Sequence, residues 1–287
     1  MKETTGILLE GGALRSVFTA GVLDYFMDEN FYVPNVVALS ASAYAGMNYI
    51  SKQRGRTAEI NIESLKTEKY LGLQTLLKTG ELFDMDLLFD KYPNGEKPFD
   101  YDTFFHSDQH FMMSTVNCNT GKPIYYNHFE ERSQLMQIAR ASNSLPFLSK
   151  VVNIDGIPML DGGMYDAIPI QKTLEEGIDK IIVVLTRLEN YRKVPRHIYM
   201  AFLRMIYHKY PQFVKMVADR PRRYNEAIDV INELEQEGRA FVIRPEIKPV
   251  KNNESNSDKL MEFYQHGYEC ARRRFHELNA FLDGTTS

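Results

Sequence analysis

The sequence has 287 residues, of which 44% are hydrophobic and 25% are charged, as expected for a soluble globular protein with ample apolar material for a core. The net charge of −4 is too small to indicate nucleic-acid binding. Two distant cysteines, Cys118 and Cys270, suggest neither a disulfide framework nor a zinc site. Because we find no signal-peptide pattern and no apolar run long enough to cross a bilayer, we expect a cytoplasmic protein.

The first 53 residues predict two successive strand–helix units. Residues 6–9 form a short apolar run that ends at a glycine-rich turn, and apolar residues then recur at helical spacing over 17–29. A second strand is expected over 36–39, followed by a helix that extends toward Gln53. The order strand, helix, strand predicts a parallel sheet.

Residues 60–107 have a mixed composition with short helical patterns, and we expect a surface segment that lines a cleft. Strands are predicted at 111–118, 123–126, 151–154, 157–160, 181–185 and 241–244, and helices at 129–141, 197–217, 224–237 and 258–281. We predict one domain over 1–287. It has an α/β core over 1–186 and a helical C-terminal part with one further strand over 187–287.

Ser40 lies at the predicted turn between the second strand and its helix. α/β hydrolases place a nucleophilic serine at such a turn, which exposes the hydroxyl beside an amide at a helix N-terminus. This elbow needs small residues two positions before and two after the serine, and these are Ala38 and Ser42. The alternative is that Ser40 or Ser42 only caps the helix.

Gly11 and Gly12 begin the turn after the first strand, and Ala13, Leu14 and Arg15 complete it. Backbone amides in such a turn can bind an oxyanion. A phosphate-binding loop is the competing hypothesis, but a third glycine at dinucleotide-binding spacing and a Gly-Lys-Ser/Thr sequence are both missing. A tight turn with a solvent-exposed Arg15 would carry no function.

Asp161 begins the sequence Asp161-Gly162-Gly163, directly after an apolar stretch. A carboxylate at the end of a buried strand is partly desolvated, which raises its pKa toward a value useful for a base. Asp-Gly is also a common turn sequence, so this stretch alone does not assign a role.

Taken together and in this order, the glycine-rich turn, the serine elbow and Asp-Gly-Gly resemble the patatin-like phospholipase family. The resemblance is strongest to its bacterial branch, whose oxyanion turn begins Glu-Gly-Gly and ends in Arg. Stretches at 18–24, 49–56, 142–147 and 241–245 also look like that branch, so the resemblance covers nearly the whole chain.

The resemblance implies a three-layer α/β fold, with a mainly parallel sheet flanked by helices, and a catalytic Ser–Asp dyad without histidine. Ser40 would be the nucleophile and Asp161 its base. The oxyanion hole would be formed by the amides of Gly11, Gly12 and Ala13, with Arg15 steadying the turn.

Four positions depart from the family pattern, which has glycine at each: Ala13, Ser16, Ala38 and Ser42. A non-glycine residue held at positive φ costs on the order of 1 kcal/mol, and an added Cβ can narrow the site. We therefore expect the departures to affect the rate of reaction and not the fold.

The expected function is hydrolysis of lipid acyl esters, of the phospholipase A or lipid acyl hydrolase type, through an acyl-enzyme and without a cofactor or metal ion. This activity belongs to lipid degradation and lipid metabolism. The alternative is a lipid- or acyl-binding protein with a degenerate elbow and no meaningful turnover. Nucleotide binding is a third hypothesis.

Residues 187–223 hold ten Lys or Arg against two acidic residues, with apolar residues at helical spacing. A basic amphipathic stretch of this kind can dock on anionic lipid, which would make the protein peripheral to a membrane. The alternative is a solvated charged face whose apolar side packs on the core. We expect no nucleic-acid partner, and the sequence leaves the oligomeric state open.

Overall fold

The computed structural model describes residues 1–68 and 70–284. Within these residues one sheet contains the eight strands β1 (Thr5–Leu9), β2 (Asn35–Ala38), β3 (His110–Asn117), β4 (Pro123–Tyr126), β5 (Val152–Ile154), β6 (Ile157–Asp161), β7 (Lys180–Val184) and β8 (Ala240–Ile243). The strand order is β5-β6-β3-β2-β1-β7-β8, and β4 also pairs with β3. From β3 to β8 the neighbouring strands are parallel, whereas β4, β5 and β6 join antiparallel. The predicted mainly parallel sheet is confirmed.

Twelve α-helices surround this sheet in the described residues. They are α1 (Val17–Asp28), α2 (Ala41–Ile50), α3 (Arg56–Ala58), α4 (Ser64–Thr67), α5 (Leu73–Thr79), α6 (Tyr101–Phe105), α7 (Arg132–Ser142), α8 (Ile170–Glu175), α9 (His197–Ile206), α10 (Pro211–Ala218), α11 (Arg220–Gln236) and α12 (Ser257–Asp283). Glu59–Glu63 and Leu87–Glu96 are π-helical, and Ala13–Ser16 and Gly162–Met164 are 3₁₀ turns. Helices that pack on both sheet faces confirm the predicted α/β class.

The two faces of the sheet carry separate hydrophobic cores. Side chains alternate along β1, so that Ile7 and Leu9 enter one core while Leu8 enters the other. Helices α1, α2 and α12 cover the first face, and α8 and α11 cover the second. A third cluster packs α9 and α10 against the ends of β3 and β6.

The predicted helix over 197–217 is wrong as a single element, because it is divided into α9 and α10. Tyr210 precedes Pro211 and has φ −123° and ψ 64°, outside the helical region. A proline disfavours the α conformation of the residue before it, and it is well suited to the first turn of a helix. The periodic apolar pattern continues across this break and conceals it.

The segment 60–107 is more buried than a surface segment. Ile60, Tyr70, Phe89 and Tyr92 are all buried, and several of its residues form one wall of the cavity beside Ser40. No helix formed by residues 1–68 and 70–284 is both long enough and apolar enough to span a membrane.

Candidate active site

The register of the sheet places Ser40 and Asp161 at the same position along the direction of the strands. Ala38 in β2 pairs with Met113 in β3, and Thr115, two residues further along β3, pairs with Asp161 in β6. Ser40 is likewise two residues beyond Ala38, and it follows the end of β2. The two side chains therefore meet across β3, although 121 residues separate them in the sequence.

Ser40 has a strained backbone at the strand–helix turn, with φ 56° and ψ −142°. Its Oγ donates a hydrogen bond of 2.7 Å to Asp161 Oδ2, and its amide donates one of 3.1 Å to Ser142 Oγ. Its hydroxyl caps no amide of α2, so the helix-capping alternative does not describe it. A non-glycine residue at this φ and ψ is sterically disfavoured, and such strain is typical of functional sites.

Asp161 is buried at the end of β6. Its Oδ1 accepts a hydrogen bond of 2.7 Å from the Gly163 amide. Burial raises the pKa of Asp161 from 3.8 to about 6, and the hydrogen bonds from Ser40 and Gly163 oppose this effect in part. At neutral pH the carboxylate is therefore ionised and basic enough to accept a proton.

Gly162 lets the chain turn directly after Asp161 against β3. A Cβ at this position would lie 2.5 Å from the carbonyl oxygen of Ser114 and 2.3 Å from its hydroxyl. Contacts below 3.0 Å to the backbone are essentially not seen, so a larger residue would displace the turn that holds Asp161.

The glycine-rich turn presents two backbone amides beside Ser40. The Gly11 amide donates to the Ala167 carbonyl oxygen at 3.2 Å, so it is already engaged. The amides of Gly12 and Ala13 have no hydrogen-bond acceptor within residues 1–68 and 70–284. Ala13 and Ser40 both line one cavity, and adjacent unpaired amides at such a place can stabilise negative charge on oxygen.

Arg15 is buried and not solvent-exposed as one alternative had it. Its Nε donates to Thr186 Oγ1 at 3.5 Å, beside the turn. Burial lowers the pKa of Arg15 to about 10, and the nearby Arg187 adds to this effect.

Of the four departures from the glycine pattern, only Ala13 lies at positive φ, at 48°. The Ser16 hydroxyl donates to the Ala13 carbonyl oxygen at 2.6 Å, which supports that conformation. The Ser42 hydroxyl donates to the Glu10 carbonyl oxygen at 2.6 Å and so connects α2 to the end of β1. Ala38 and Ser42 therefore carry no backbone strain.

A narrow apolar cavity of about 50 Å³ begins at Ser40 and opens to solvent. Large side chains from α2 and from the segment 60–107 form its walls, chiefly Tyr44, Tyr70, Phe83, Met85, Leu88 and Phe89. Its apolar lining suits a hydrocarbon chain.

No histidine hydrogen-bonds to Ser40 or Asp161 in the described part of the chain. In the same residues no group of three or more His, Cys, Asp or Glu side chains could hold a metal ion. Among the described residues, the groups that meet at this site are one hydroxyl, one carboxylate and backbone amides.

A model of the patatin-like phospholipase family matches residues 7–174, which is more than half of the chain. The chain belongs to the patatin-like phospholipase family. The match confirms the resemblance found from the sequence motifs. A second family model, a domain of unknown function (DUF6363), matches residues 210–283 of this patatin-like chain.

An uncharacterized protein of Escherichia coli K12, YjjU, is 29% identical to this patatin-like chain over 185 residues. That match covers 63% of the chain and 51% of YjjU, so the chain spans about half the length of this curated relative. Among solved structures, VipD from Legionella pneumophila is similar with a TM-score of 0.48 and 12% identity, covering 99% of this chain and 67% of VipD.

Sequence reasoning missed several polar residues that surround the patatin-like site. The carboxylate of Glu10 accepts hydrogen bonds from the amide and hydroxyl of Thr186, at 2.6 and 3.0 Å, and from the Tyr224 hydroxyl at 3.0 Å. Arg220 Nε donates to the Gly163 carbonyl oxygen at 2.6 Å. The positions of Glu10 and Thr186 could have been inferred, because each directly follows a predicted strand of the parallel sheet.

Proposed function

We propose that this protein hydrolyses acyl esters of lipids, with Ser40 as the nucleophile and Asp161 as its general base. The 2.7 Å hydrogen bond between Ser40 Oγ and Asp161 Oδ2 supports this proposal most directly. A serine hydroxyl is a poor nucleophile until a base accepts its proton, and Asp161 is in hydrogen-bond contact with that proton.

In this mechanism Ser40 Oγ attacks the ester carbonyl carbon while its proton moves to Asp161. The amides of Gly12 and Ala13 donate to the oxyanion that forms, and Arg15 holds their turn in place. When the tetrahedral intermediate collapses, the alcohol leaves with the proton from Asp161 and an acyl-Ser40 remains. Water then attacks the acyl-enzyme with Asp161 again as base, which releases the acid and restores Ser40.

The apolar cavity beside Ser40 is where we place the acyl chain. Its walls are hydrocarbon and aromatic side chains, so transfer of an acyl chain from water would be favourable by about 0.8 kcal/mol for each buried methylene. The long-chain esters of lipids are therefore better substrates than acetate esters. Narrowing the cavity with Leu88→Trp should shift the preference toward shorter chains.

A fluorophosphonate probe tests the nucleophile directly. We expect one covalent adduct on Ser40 by mass spectrometry, and none on Ser40→Ala protein of normal stability. Absence of any adduct, together with binding of fatty acid in the cavity, would instead favour the acyl-binding alternative without turnover. The strained φ of Ala13 is the feature that would account for that result.

We further propose that α9 docks on an anionic membrane surface. Four apolar side chains of this helix are exposed, namely Ile198 (77% exposed), Phe202 (54%), Met205 and Ile206. Leu203, on the opposite side of α9, packs into the third core cluster. A helix that exposes so much apolar surface beside cations suits a lipid interface better than water.

Nearby cations supply the charge complementarity. Arg196, Arg204, Lys209 and Lys215 form no ion pair with a carboxylate in the described residues. Each well-placed cation contributes about 1 kcal/mol to binding at an anionic surface. Tyr199 of α9 packs on Phe147, with ring centroids 5.2 Å apart, and Phe147 is two residues after Leu145, which lines the cavity.

Vesicle co-sedimentation tests this docking. We expect binding to anionic vesicles to exceed binding to neutral vesicles at low salt, and Phe202→Ser to reduce it. Equal binding to both vesicle types would contradict the docking proposal and leave the hydrolase proposal intact.

A further inference from the structure

Four cationic side chains converge behind the glycine-rich turn and beside Asp161: Arg15, Arg187, Lys193 and Arg220. Tyr224 is at the centre of this group, which we call the cation cluster. Lys193 Nζ lies 4.2 Å from the Tyr224 ring centroid, and the Tyr191 ring packs edge-on against Tyr224 at 5.7 Å. The Arg187 guanidinium carbon lies over the Tyr191 ring, 4.3 Å from its centroid.

The cation cluster adjoins the reacting groups. Arg220 Nε donates to the carbonyl oxygen of Gly163, two residues after Asp161. Arg15 donates to the Thr186 hydroxyl, and a Cβ added to Gly12 would lie 3.0 Å from that same hydroxyl. Arg15 and Thr186 therefore lie directly against the glycine-rich turn. Arg220 and Lys193 are both close enough to stabilise the ionised form of Asp161 electrostatically.

No member of the cluster forms an ion pair with a carboxylate within residues 1–68 and 70–284. Arg15 Nη1 is buried and lacks any hydrogen-bond partner in those residues. The neighbouring cations behave differently, since Arg192 pairs with Asp229 and Arg223 with Asp219. The cluster is therefore distinct from an ordinary charged surface.

Three carboxylates face the cluster and offset part of its charge, but each accepts its hydrogen bonds from uncharged groups and none from a cluster cation. Glu10 accepts hydrogen bonds from Thr186 and Tyr224, and Asp161 accepts from Ser40 and Gly163. Asp166 accepts from the Ile168 amide.

The cations also oppose one another. Burial lowers the pKa of Lys193 to about 6, and Arg220 contributes to this shift, so Lys193 is largely uncharged at neutral pH until an anion binds beside it and restores its charge. Arg15 is buried with an unsatisfied Nη1, while Arg187, Lys193 and Arg220 are half-buried, so an anion bound among them would gain charge-assisted hydrogen bonds and reduce the repulsion between the cations.

The cluster and the acyl cavity lie on opposite faces of the sheet. Tyr224 belongs to the core that contains Leu8, whereas Tyr44 and Leu88 of the cavity wall belong to the core that contains Ile7. An ester carbonyl held at Ser40 has its acyl chain on one side and its alcohol on the other. With the acyl chain in the cavity, we place the alcohol on the side of the sheet that carries the cation cluster.

We propose that Arg187, Lys193 and Arg220, backed by Arg15, form a subsite for a phosphate group on the leaving alcohol of the substrate. Building on the proposed hydrolysis at Ser40, this subsite makes the protein selective for esters with a net negative head group over neutral or zwitterionic ones. Arginine and lysine are the side chains that bind phosphate by charge-assisted hydrogen bonds.

Matched short-chain substrates test the selectivity without a membrane surface. Octanoylglycerol phosphate, octanoylglycerol phosphocholine and octanoylglycerol share one acyl chain and are used below their micelle concentrations. We expect kcat/KM for the phosphate ester to exceed the other two by about tenfold to a hundredfold, chiefly through KM. Inorganic phosphate should compete with the phosphate ester only.

Lys193→Met removes the charge and keeps most of the side-chain volume. It should lower the preference for the phosphate ester by about tenfold, and Lys193→Arg should retain the preference. Arg272→Met is the matched control, because Arg272 is an exposed cation paired with Glu269 on α12. It should leave the preference unchanged.

Binding to Ser40→Ala protein separates this proposal from the proposed hydrolysis. Tighter binding of octanoylglycerol phosphate than of octanoylglycerol or inorganic phosphate would support the subsite even if the wild-type protein shows no turnover. Equal binding of the two octanoyl esters, or an equal loss of both with Lys193→Met, would overturn the subsite while hydrolysis at Ser40 stands.

Discussion

Replacing Asp161 with asparagine tests the chemistry and the energetics of the site together. The Asp161 Oδ1 accepts from the Gly163 amide, and Oδ2 accepts from the Ser40 hydroxyl. An asparagine keeps the acceptor for Gly163 and directs its NH₂ group at Ser40 Oγ, so the packing is preserved. Only the charge and the capacity to accept a proton are lost.

The magnitude of the stability change follows from the pKa of Asp161. Burial raises this pKa from 3.8 to about 6, so the folded state binds the proton more tightly than the unfolded state does. The free energy of unfolding therefore falls as the pH rises through this range, and the loss is complete above about pH 6. The difference between a pKa of 3.8 in the unfolded state and about 6 in the folded state corresponds to roughly 3 kcal/mol in the free energy of unfolding. Asp161→Asn should thus be more stable than wild type by up to about 3 kcal/mol at pH 8, and by little near pH 4.

Urea unfolding at both pH values measures this difference, with Asp108→Asn as a control because Asp108 is exposed. Ester turnover in the same protein should fall by about a thousandfold, as severely as in Ser40→Ala, and the double variant should lose little more. A stability difference that does not change between pH 4 and pH 8 would refute the desolvation argument. Turnover near the wild-type level would refute the assignment of Asp161 as base.

Three further outcomes are expected. Turnover of a neutral ester should rise with pH through a single ionisation near pH 6, since only ionised Asp161 accepts the proton; two ionisations would indicate another base. Ser42→Ala should lower the free energy of unfolding by about 1–3 kcal/mol in urea titrations, because the Glu10 carbonyl loses a buried donor, and an unchanged value would contradict this. Gly162→Ala should abolish probe labelling by its clash with Ser114, and normal labelling would show that the turn adapts.

Single substitutions of the seven histidines offer a separate check on the dyad. None of them should reduce turnover as Ser40→Ala does: His106, His110, His128, His197, His208, His266 and His276. A folded histidine variant that is equally inactive would identify a triad in place of the dyad.

Local sequence patterns alone determined most of the elements and the family motifs. The alternation and spacing of apolar residues predicted β1, α1 and β2 to within one residue at each end. Asp155 and Gly156 have φ of 51° and 78°, the paired positive values that a type I′ turn requires and that Asp-Gly favours. These features depend on neighbours in the chain, so a single sequence carries them. The break before Pro211 was missed because the prediction followed apolar spacing, which does not show a change of helix axis, although the proline itself marks the boundary.

Only the tertiary structure decided which further side chains surround Ser40 and Asp161, and how burial changes their charge. The sequence offered Arg15 as a candidate on a turn, but its burial depends on Thr186, which lies 171 residues away. Likewise, no sequence motif indicates the cation cluster around Tyr224. Its members come from different segments of the chain, and only the packing of those segments brings the side chains together. The pKa of Asp161 depends on desolvation by the whole surrounding fold. Contacts and electrostatics of this kind are properties of three-dimensional packing, which local spacing does not encode.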